Sequence, residues 1–167
     1  MKRVLLTGAS GFIGRHAIRP LLDGGYEVHA IARDVESLRA WAPAEVSFHP
    51  ASLLDAAQTQ AIVRAIRPTH LLHLAWYVAH GKFWAAPENL DWVAASLYLL
   101  RAFTDAGGQR VVMAGTCAEY DWVGDGGVAW NGVCVEEGTP LKPATLYGAS
   151  KHALQTLLRA FRGSGQV

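Results

Sequence analysis

Two groups of residues in this sequence have the types and spacing of chemistry. Near the start stands Thr7-Gly8-Ala9-Ser10-Gly11-Phe12-Ile13-Gly14, with glycines at every third position. Glycine lets a backbone turn tightly and lets N–H groups come close to an anion. Further on stands Tyr147-Gly148-Ala149-Ser150-Lys151. Residues four apart share a helix face, so the phenol and the ammonium are neighbours. A nearby cation lowers a phenol pKa from its reference of about 10. Such a tyrosine exchanges a proton with a carbinol or carbonyl oxygen at neutral pH. The first group has the pattern of a dinucleotide cradle; the second is expected to move a proton beside it.

These groups need elements to position them. The apolar run 3–7, stopped by Gly8, has the pattern of a buried parallel strand. A helix is predicted over about 12–22, with Ile13, Ala17 and Leu21 on its buried face and a kink at Pro20. A strand over 27–32, a short helix over 35–41 and a strand over 46–49 follow. Ser52-Leu53-Leu54-Asp55 opens the next helix with capping-type spacing, and Ala61, Ile62, Ala65 and Ile66 form its buried stripe. A strand over 71–75 leads into an aromatic-rich loop over 76–87. A long helix over 89–106, a strand over 110–114, a glycine-rich loop over about 120–144 and a helix over about 146–162 complete the chain. Strands alternating with helices predict an α/β doubly wound parallel sheet, a Rossmann fold, in the order 3-2-1-4-5. Residues 1–167 read as one dinucleotide-binding domain. A full sheet of this kind needs at least one more strand, so the chain is expected to be truncated before the later strands.

Within that frame the glycines divide their work. Gly8 allows the tight turn, Gly11 admits the pyrophosphate, and Gly14 lets the helix pack on the strand. The helix N-terminus adds a favourable field for an anion. The end of the second strand should meet the adenosine ribose. Ala32 stands where NAD binders place an acid, and Arg33 can pair with a 2′-phosphate. That points to NADP over NAD. The alternative is a solvated Arg33 with Asp34 accepting from the ribose. Thr116 follows the fifth strand at the carboxyl edge of the sheet, where ligands bind, and its hydroxyl can bond a substrate oxygen. Lys151 can also reach the nicotinamide ribose.

Several other residues allow two readings. Trp76 and Trp84 lie just beyond the fourth strand and either stack on a substrate ring or pack between loops; Trp41 and Trp92 read as packing. His73, inside an apolar strand, reads as a hydrogen-bonded core histidine. His80 and Lys82 either meet a phosphate or sugar hydroxyl or simply sit in an exposed loop. Cys117 reads as a small filler.

Composition bounds the rest. The 167 residues are 51% hydrophobic and 17% charged, enough to bury one core. Net charge is +1 with no basic run, so a nucleic-acid partner is not expected. No apolar run is long enough to span a bilayer, and no signal peptide or membrane association is expected. Cys117 and Cys134 are the two cysteines, too few and too far apart for a zinc cluster or a disulfide framework. No metal is expected, and a reducing cytoplasm is the expected compartment.

Across its length the chain resembles the extended short-chain dehydrogenase/reductase family, in its nucleotide-sugar epimerase/dehydratase/reductase branch. The resemblance lies in residues 7–14, His73-Leu74-Ala75, Gly115-Thr116-Cys117-Ala118-Glu119-Tyr120, Glu136-Glu137-Gly138-Thr139-Pro140-Leu141-Lys142-Pro143 and residues 147–151. It implies a catalytic triad of Thr116, Tyr147 and Lys151. It implies a cofactor site lined by Gly8, Ser10, Gly11, Phe12, Ile13, Gly14, Arg33, Ser52, Leu53, Leu74, Ala75, Trp76, Tyr147 and Lys151. The implied reaction is keto-sugar reduction or epimerisation of a nucleotide sugar with NADP, or alternatively NAD, in a homodimer built on the helices from Asn89 and Leu146. Family dehydratases carry an acidic pair after the catalytic threonine; Cys117 and Ala118 stand there, so dehydration is not expected. Ser52 stands in place of an adenine-binding aspartate, with Asp55 three residues on, and Trp92 in place of a common asparagine. The family also carries a C-terminal substrate domain absent from these residues. The chain is therefore expected to be a truncated product or one part of a longer protein. Two other readings remain: a dinucleotide-binding module without catalysis, and a reductase of a hydroxy-ketone or flavonoid-like substrate.

Overall fold

Val4, Leu5 and Leu6 are apolar on both sides of the strand, as a strand must be when helices cover both faces. In the computed structural model, which describes residues 2–122 and 138–163, this strand is β1, Arg3–Thr7, at the centre of the sheet. The remaining elements follow in alternation: α1 Phe12–Asp23, β2 Glu27–Ala32, α2 Val35–Arg39, β3 Ser47–Pro50, α3 Ala56–Ile66 and β4 His70–His73. Then come α4 Glu88–Asp105, β5 Arg110–Met113, a 3₁₀ turn Cys117–Glu119, and α5 Leu146–Gly163. Trp130, Cys134, Glu136 and Glu137 lie outside the described residues, as does most of the glycine-rich loop.

The sheet runs β3-β2-β1-β4-β5, the predicted order, and every pairing is parallel. Thr7 stands opposite Ile31 on one side and His73 on the other. The carboxyl ends of β1, β2 and β4 therefore finish level along one rim.

Side chains alternate across the sheet and build two cores. Leu5, Ile31 and Leu71 face Val63 and Ile66 of α3 and Leu99 and Phe103 of α4. Val4, Leu6, Val28 and Ala30 face Ile18 of α1 and Leu38 of α2. Burying each of these larger side chains contributes about 1.5–3 kcal/mol. Helix α4 also packs on α5, which carries Tyr147 and Lys151. No helix among the described residues is long and apolar enough to cross a membrane.

Two helix faces differ from expectation. On α1 the buried residues are Gly14 and Ile18, whereas Ile13 is 63% exposed. The cause is Gly14: a Cβ there would stand 2.0 Å from the Gly8 carbonyl oxygen, so its bare Cα face is pressed to the turn. The helix runs unbroken through Pro20 and closes with the Gly24 amide donating to the Pro20 carbonyl at 3.0 Å. Helix α3 begins at Ala56, not Ser52. Asp55 is its N-cap, accepting from the Gln58 amide at 3.0 Å, while Ser52 Oγ accepts from Leu54 N in the turn before. Its buried residues are Thr59, Val63 and Ile66, whereas Ala61 and Ala65 are exposed.

Candidate active site

The glycine turn joins β1 to α1. Gly8 takes φ +75°, a conformation that favours glycine, and a Cβ on it would lie 2.7 Å from the Ala75 amide nitrogen. The Gly11 amide closes the turn on the Gly8 carbonyl at 3.0 Å. Gly11 is also the N-cap of α1 and offers no side-chain cap, so the first amides of the helix lack an internal acceptor. A glycine-rich turn ending on free amides fits a diphosphate.

Beside the turn lies a cavity of about 430 Å³. Gly8, Ser10 and Gly11 line it on one side, and Leu74, Ala75 and Trp76 on the other. Arg33, Ser52 and Leu53 line it as well. Of the residues expected at the cofactor, Phe12, Ile13, Gly14, Tyr147 and Lys151 do not line it. Phe12 and Ile13 are exposed at the start of α1, and Gly14 is spent on packing against Gly8. The sequence reading missed Ile31, Ala51, Val78 and Trp92 on the wall; their apolar character gave no signal apart from core.

At the outer end Arg33 and Asp34 both reach the cavity. The Asp34 carboxylate caps α2, accepting from the Ser37 amide at 3.1 Å and from the Ser37 hydroxyl. Those two bonds hold its carboxyl below the usual range. Arg33 is exposed and carries no such engagement in the cap.

The floor is fixed by a buried chain of hydrogen bonds. Thr7 Oγ1 accepts from the Leu74 and Ala75 amides, each at 3.2 Å, so its proton goes to His73 Nδ1 at 2.7 Å. His73 Nε2 then donates to Ser96 Oγ at 2.9 Å, and Ser96 donates to the Trp92 carbonyl at 2.6 Å. Burial, with the nearby Lys151 charge adding to it, pushes His73 down to about 3. It is the neutral core histidine the sequence suggested. Its work is to hold Leu74 and Ala75 against the cavity.

The proton-handling residues lie where α5 meets the rim. Thr145 Oγ1 accepts from the Gly148 amide at 3.0 Å at the start of the helix. The Tyr147 amide donates to the Trp84 carbonyl at 3.1 Å, and the phenol ring meets Phe83 edge-on with centroids 4.8 Å apart. Trp84 also packs edge-on to Tyr147, so the aromatic loop braces the phenol. One turn on, Lys151 is 5% exposed, and its Nζ lies 4.2 Å from the Trp76 ring centroid. Burial lowers the Lys151 pKa to about 8, with Glu119 opposing the shift. Trp76 is itself anchored by Nε1–H donating to Asn89 Oδ1 at 2.8 Å. Because Trp76 lines the cavity, the ammonium sits against its wall.

Thr116 caps the 3₁₀ turn. Its Oγ1 accepts from the Ala118 amide at 3.2 Å and keeps a proton to donate. The turn and α5 touch at Gly148, where a Cβ would stand 2.4 Å from the Ala118 carbonyl oxygen. The structure thus brings the Thr116 segment, the start of α5 and the cavity wall together. Trp41 lies apart, with the Arg15 guanidinium 4.9 Å from its ring centroid. His80 and Lys82 are exposed. Among the described residues no group of three His, Cys, Asp or Glu could hold a metal ion.

Residues 4–167 match the model of the NAD dependent epimerase/dehydratase family. The chain belongs to that family. A UDP-glucose 4-epimerase of Azospirillum brasilense is 31% identical over 94% of this chain and 44% of its own. A dTDP-6-deoxy-L-talose 4-dehydrogenase (NAD(+)) of Aggregatibacter actinomycetemcomitans is 27% identical over 95% of this chain and 54% of its own. Among solved structures, the Thermus thermophilus UDP-glucose 4-epimerase in complex with NAD superposes with a TM-score of 0.80 at 32% identity. It covers 97% of this chain, and this chain covers 51% of it. The chain spans about half the length of the curated relatives it matches. Like them, it has the Rossmann sheet; the named relatives are nucleotide-sugar epimerases and dehydrogenases, and those with a cofactor in their names have NAD.

Beside Thr116, a further residue escaped the sequence reading. Glu119 stands three after Thr116, the spacing of a capping box, and its side chain accepts from the Thr116 amide at 2.8 Å. That spacing was the signal available.

Proposed function

We propose that these residues form the dinucleotide-binding half of an oxidoreductase or epimerase that acts on a nucleotide sugar. The observation that carries the reading is the convergence on one rim of the glycine turn, the cavity and the buried Lys151. When bound, a nicotinamide dinucleotide supplies a site that accepts or returns hydride at a sugar carbon. Gly8, Ser10 and Gly11 would hold its diphosphate, and Arg33, Ser52 and Leu53 its adenosine end. Leu74, Ala75 and Trp76 would wall the path toward the nicotinamide.

Tyr147 would take the proton from a sugar hydroxyl, or return one to a keto oxygen. Lys151, one turn on along the same helix, would reach the nicotinamide ribose. Thr116 would donate to the same sugar oxygen and fix its direction. Keto-sugar reduction and epimerisation share this step. Cys117 and Ala118 supply no acid for an elimination, so dehydration is not proposed.

Arg33, exposed at the ribose end, favours the 2′-phosphate of NADP, while Asp34 is drawn into the cap of α2. NAD is the alternative, supported by the relatives named above. The experiment is a calorimetric titration of this chain with NADP⁺ and with NAD⁺. Tighter binding of NADP⁺ supports the assignment, tighter NAD⁺ reverses it, and no binding of either ends the functional reading. Turnover is proposed for a protein that carries these residues, dinucleotide binding for the residues themselves. Residues 1–167 are proposed as one domain, placed in the cytoplasm. The apolar face of α4 and α5, with Tyr98 and Leu157 exposed, is proposed to pair with a second copy.

A further inference from the structure

Tyr147 and Lys151 both lean on the segment between β4 and α4, residues 74–87, which holds no strand or helix of its own. Trp76, near its start, lies against the Lys151 ammonium; Phe83 and Trp84, near its end, pack on the Tyr147 ring. A segment without a ladder keeps one shape only where side chains tie its backbone down.

Asn89, the second residue of α4, is that tie, and it is wholly buried. Its Oδ1 accepts from the Trp76 indole Nε1–H at 2.8 Å. Its Nδ2 donates to the Phe83 carbonyl at 2.7 Å and to the Ala86 carbonyl at 2.8 Å. The indole only donates and the carbonyls only accept, so the amide has one way to face and both of its N–H groups are used. An asparagine near a helix start ordinarily accepts from the helix's own amides. Here Pro87 holds the N-cap position without a side-chain cap, and Asn89 spends its oxygen on a residue thirteen positions back.

Each end of the amide leads to the site. From the oxygen the path runs through the Trp76 ring to Lys151 Nζ, 4.2 Å from its centroid. From the nitrogen it runs through Phe83 to the Tyr147 ring, at 4.8 Å between centroids. The next carbonyl along, that of Trp84, accepts from the Tyr147 amide at 3.1 Å.

We propose that Asn89 is a positioning residue: its three hydrogen bonds clasp the two ends of the aromatic segment and so fix the wall beside Lys151 and the brace around Tyr147 relative to one another. The inference rests on the reading that Tyr147 and Lys151 act on sugar and cofactor.

Ring-current shifts in NMR spectra report where a nucleus sits relative to an aromatic ring. The chain holds four lysines, Lys2, Lys82, Lys142 and Lys151, and five tyrosines, so ε-¹³C-lysine and ring-¹³C-tyrosine labelling give countable spectra. Lys151→Arg and Tyr147→Phe assign the two signals by their loss. In the unaltered chain without ligand, the Lys151 ε-protons should lie upfield, shielded by Trp76. Asn89→Leu keeps the bulk of the side chain and removes all three bonds. In folded N89L the Lys151 signal should lose its upfield shift and the Tyr147 ring signals should move with it. Lys2, which stands over Tyr26 at the opposite rim of the sheet, should stay in place. An amide that merely stabilised the fold would leave both signals where they were, so a folded N89L with both unmoved overturns the proposal. Trp76→Phe removes the indole N–H and spares the bonds from Nδ2. The Tyr147 signals should then hold; if they move as in N89L, the separate grip on the Phe83 end is refuted. If N89L does not fold, the unaltered chain decides. Both Asn89 amide protons and the Trp76 indole proton should exchange slowly with D₂O, as buried hydrogen-bonded protons do; rapid exchange of any of the three overturns the clasp. None of these measurements contains dinucleotide or sugar. Failure of NADP⁺ and NAD⁺ to bind would remove the functional reading and leave the clasp standing, whereas unmoved signals would remove the clasp and leave the functional reading standing.

Discussion

Tyr147 and Lys151 carry most of the chemical argument, and they sit in different surroundings. The phenol stands among Phe83 and Trp84 at the start of α5, while the ammonium is buried against Trp76. Tyr147→Phe keeps the ring packing and removes the proton carrier. In a protein that turns over, it should lower kcat by about 10²–10⁴-fold. Dinucleotide affinity of this chain, followed by calorimetry, should stay within about twofold, since no part of the cradle changes. A second prediction concerns His73, whose folded pKa lies far below its unfolded value of about 6.5. Above that value both states are neutral and the histidine leaves stability independent of pH. As pH falls from about 6.5 toward 3, the unfolded state binds a proton that the folded state refuses. Stability then drops by up to about 1.4 kcal/mol per pH unit. His73→Gln keeps hydrogen-bonding capacity and should flatten that slope between pH 6 and 4, as measured by urea unfolding.

At the scale of elements, caps and glycines decide where helices start and which face they bury. Asp55→Ala removes the N-cap of α3 and should lower stability by about 1 kcal/mol in urea melts. Ser52→Ala, which touches only a turn amide, should cost much less. The contrast distinguishes the observed start of α3 from the one suggested by Ser52. Much of this architecture was legible beforehand. Apolar runs stopped by Gly8 or flanked by helical segments marked the strands, and their alternation implied the order of the sheet. The glycine spacing marked the turn, and the Tyr147–Lys151 spacing marked the shared face. What periodicity could not give was rotation about a helix axis. Ile13 looks like core on hydropathy, yet the contact of Gly14 with the Gly8 carbonyl turns it to solvent. Long-range pairings were equally hidden. Nothing in the spacing of Trp76 and Lys151, or of Thr7 and His73, announces that they meet. Glu119 was overlooked for the opposite reason: its cue was local, but a capping box normally implies a helix end at the surface and not a buried charge.

For the molecule as a whole, the α4–α5 side carries Tyr98 and Leu157 exposed around an apolar groove. If two copies pair there, Leu157→Glu places a charge in the contact and should convert a dimer to a monomer in analytical ultracentrifugation. A monomeric unaltered chain would sink that pairing. The same global view bears on how the protein is made. β1 occupies the middle of the sheet, yet one of its two partners, β4, joins it across about 66 residues, the separation of Arg3 from Thr69 and of Thr7 from His73. At the usual pace of about 5–20 residues per second, roughly 3–13 s of synthesis separate these partners. During that interval the nascent β1–β2 pair keeps an open edge and an uncovered apolar face, the situation in which chaperone capture and misassembly compete with folding.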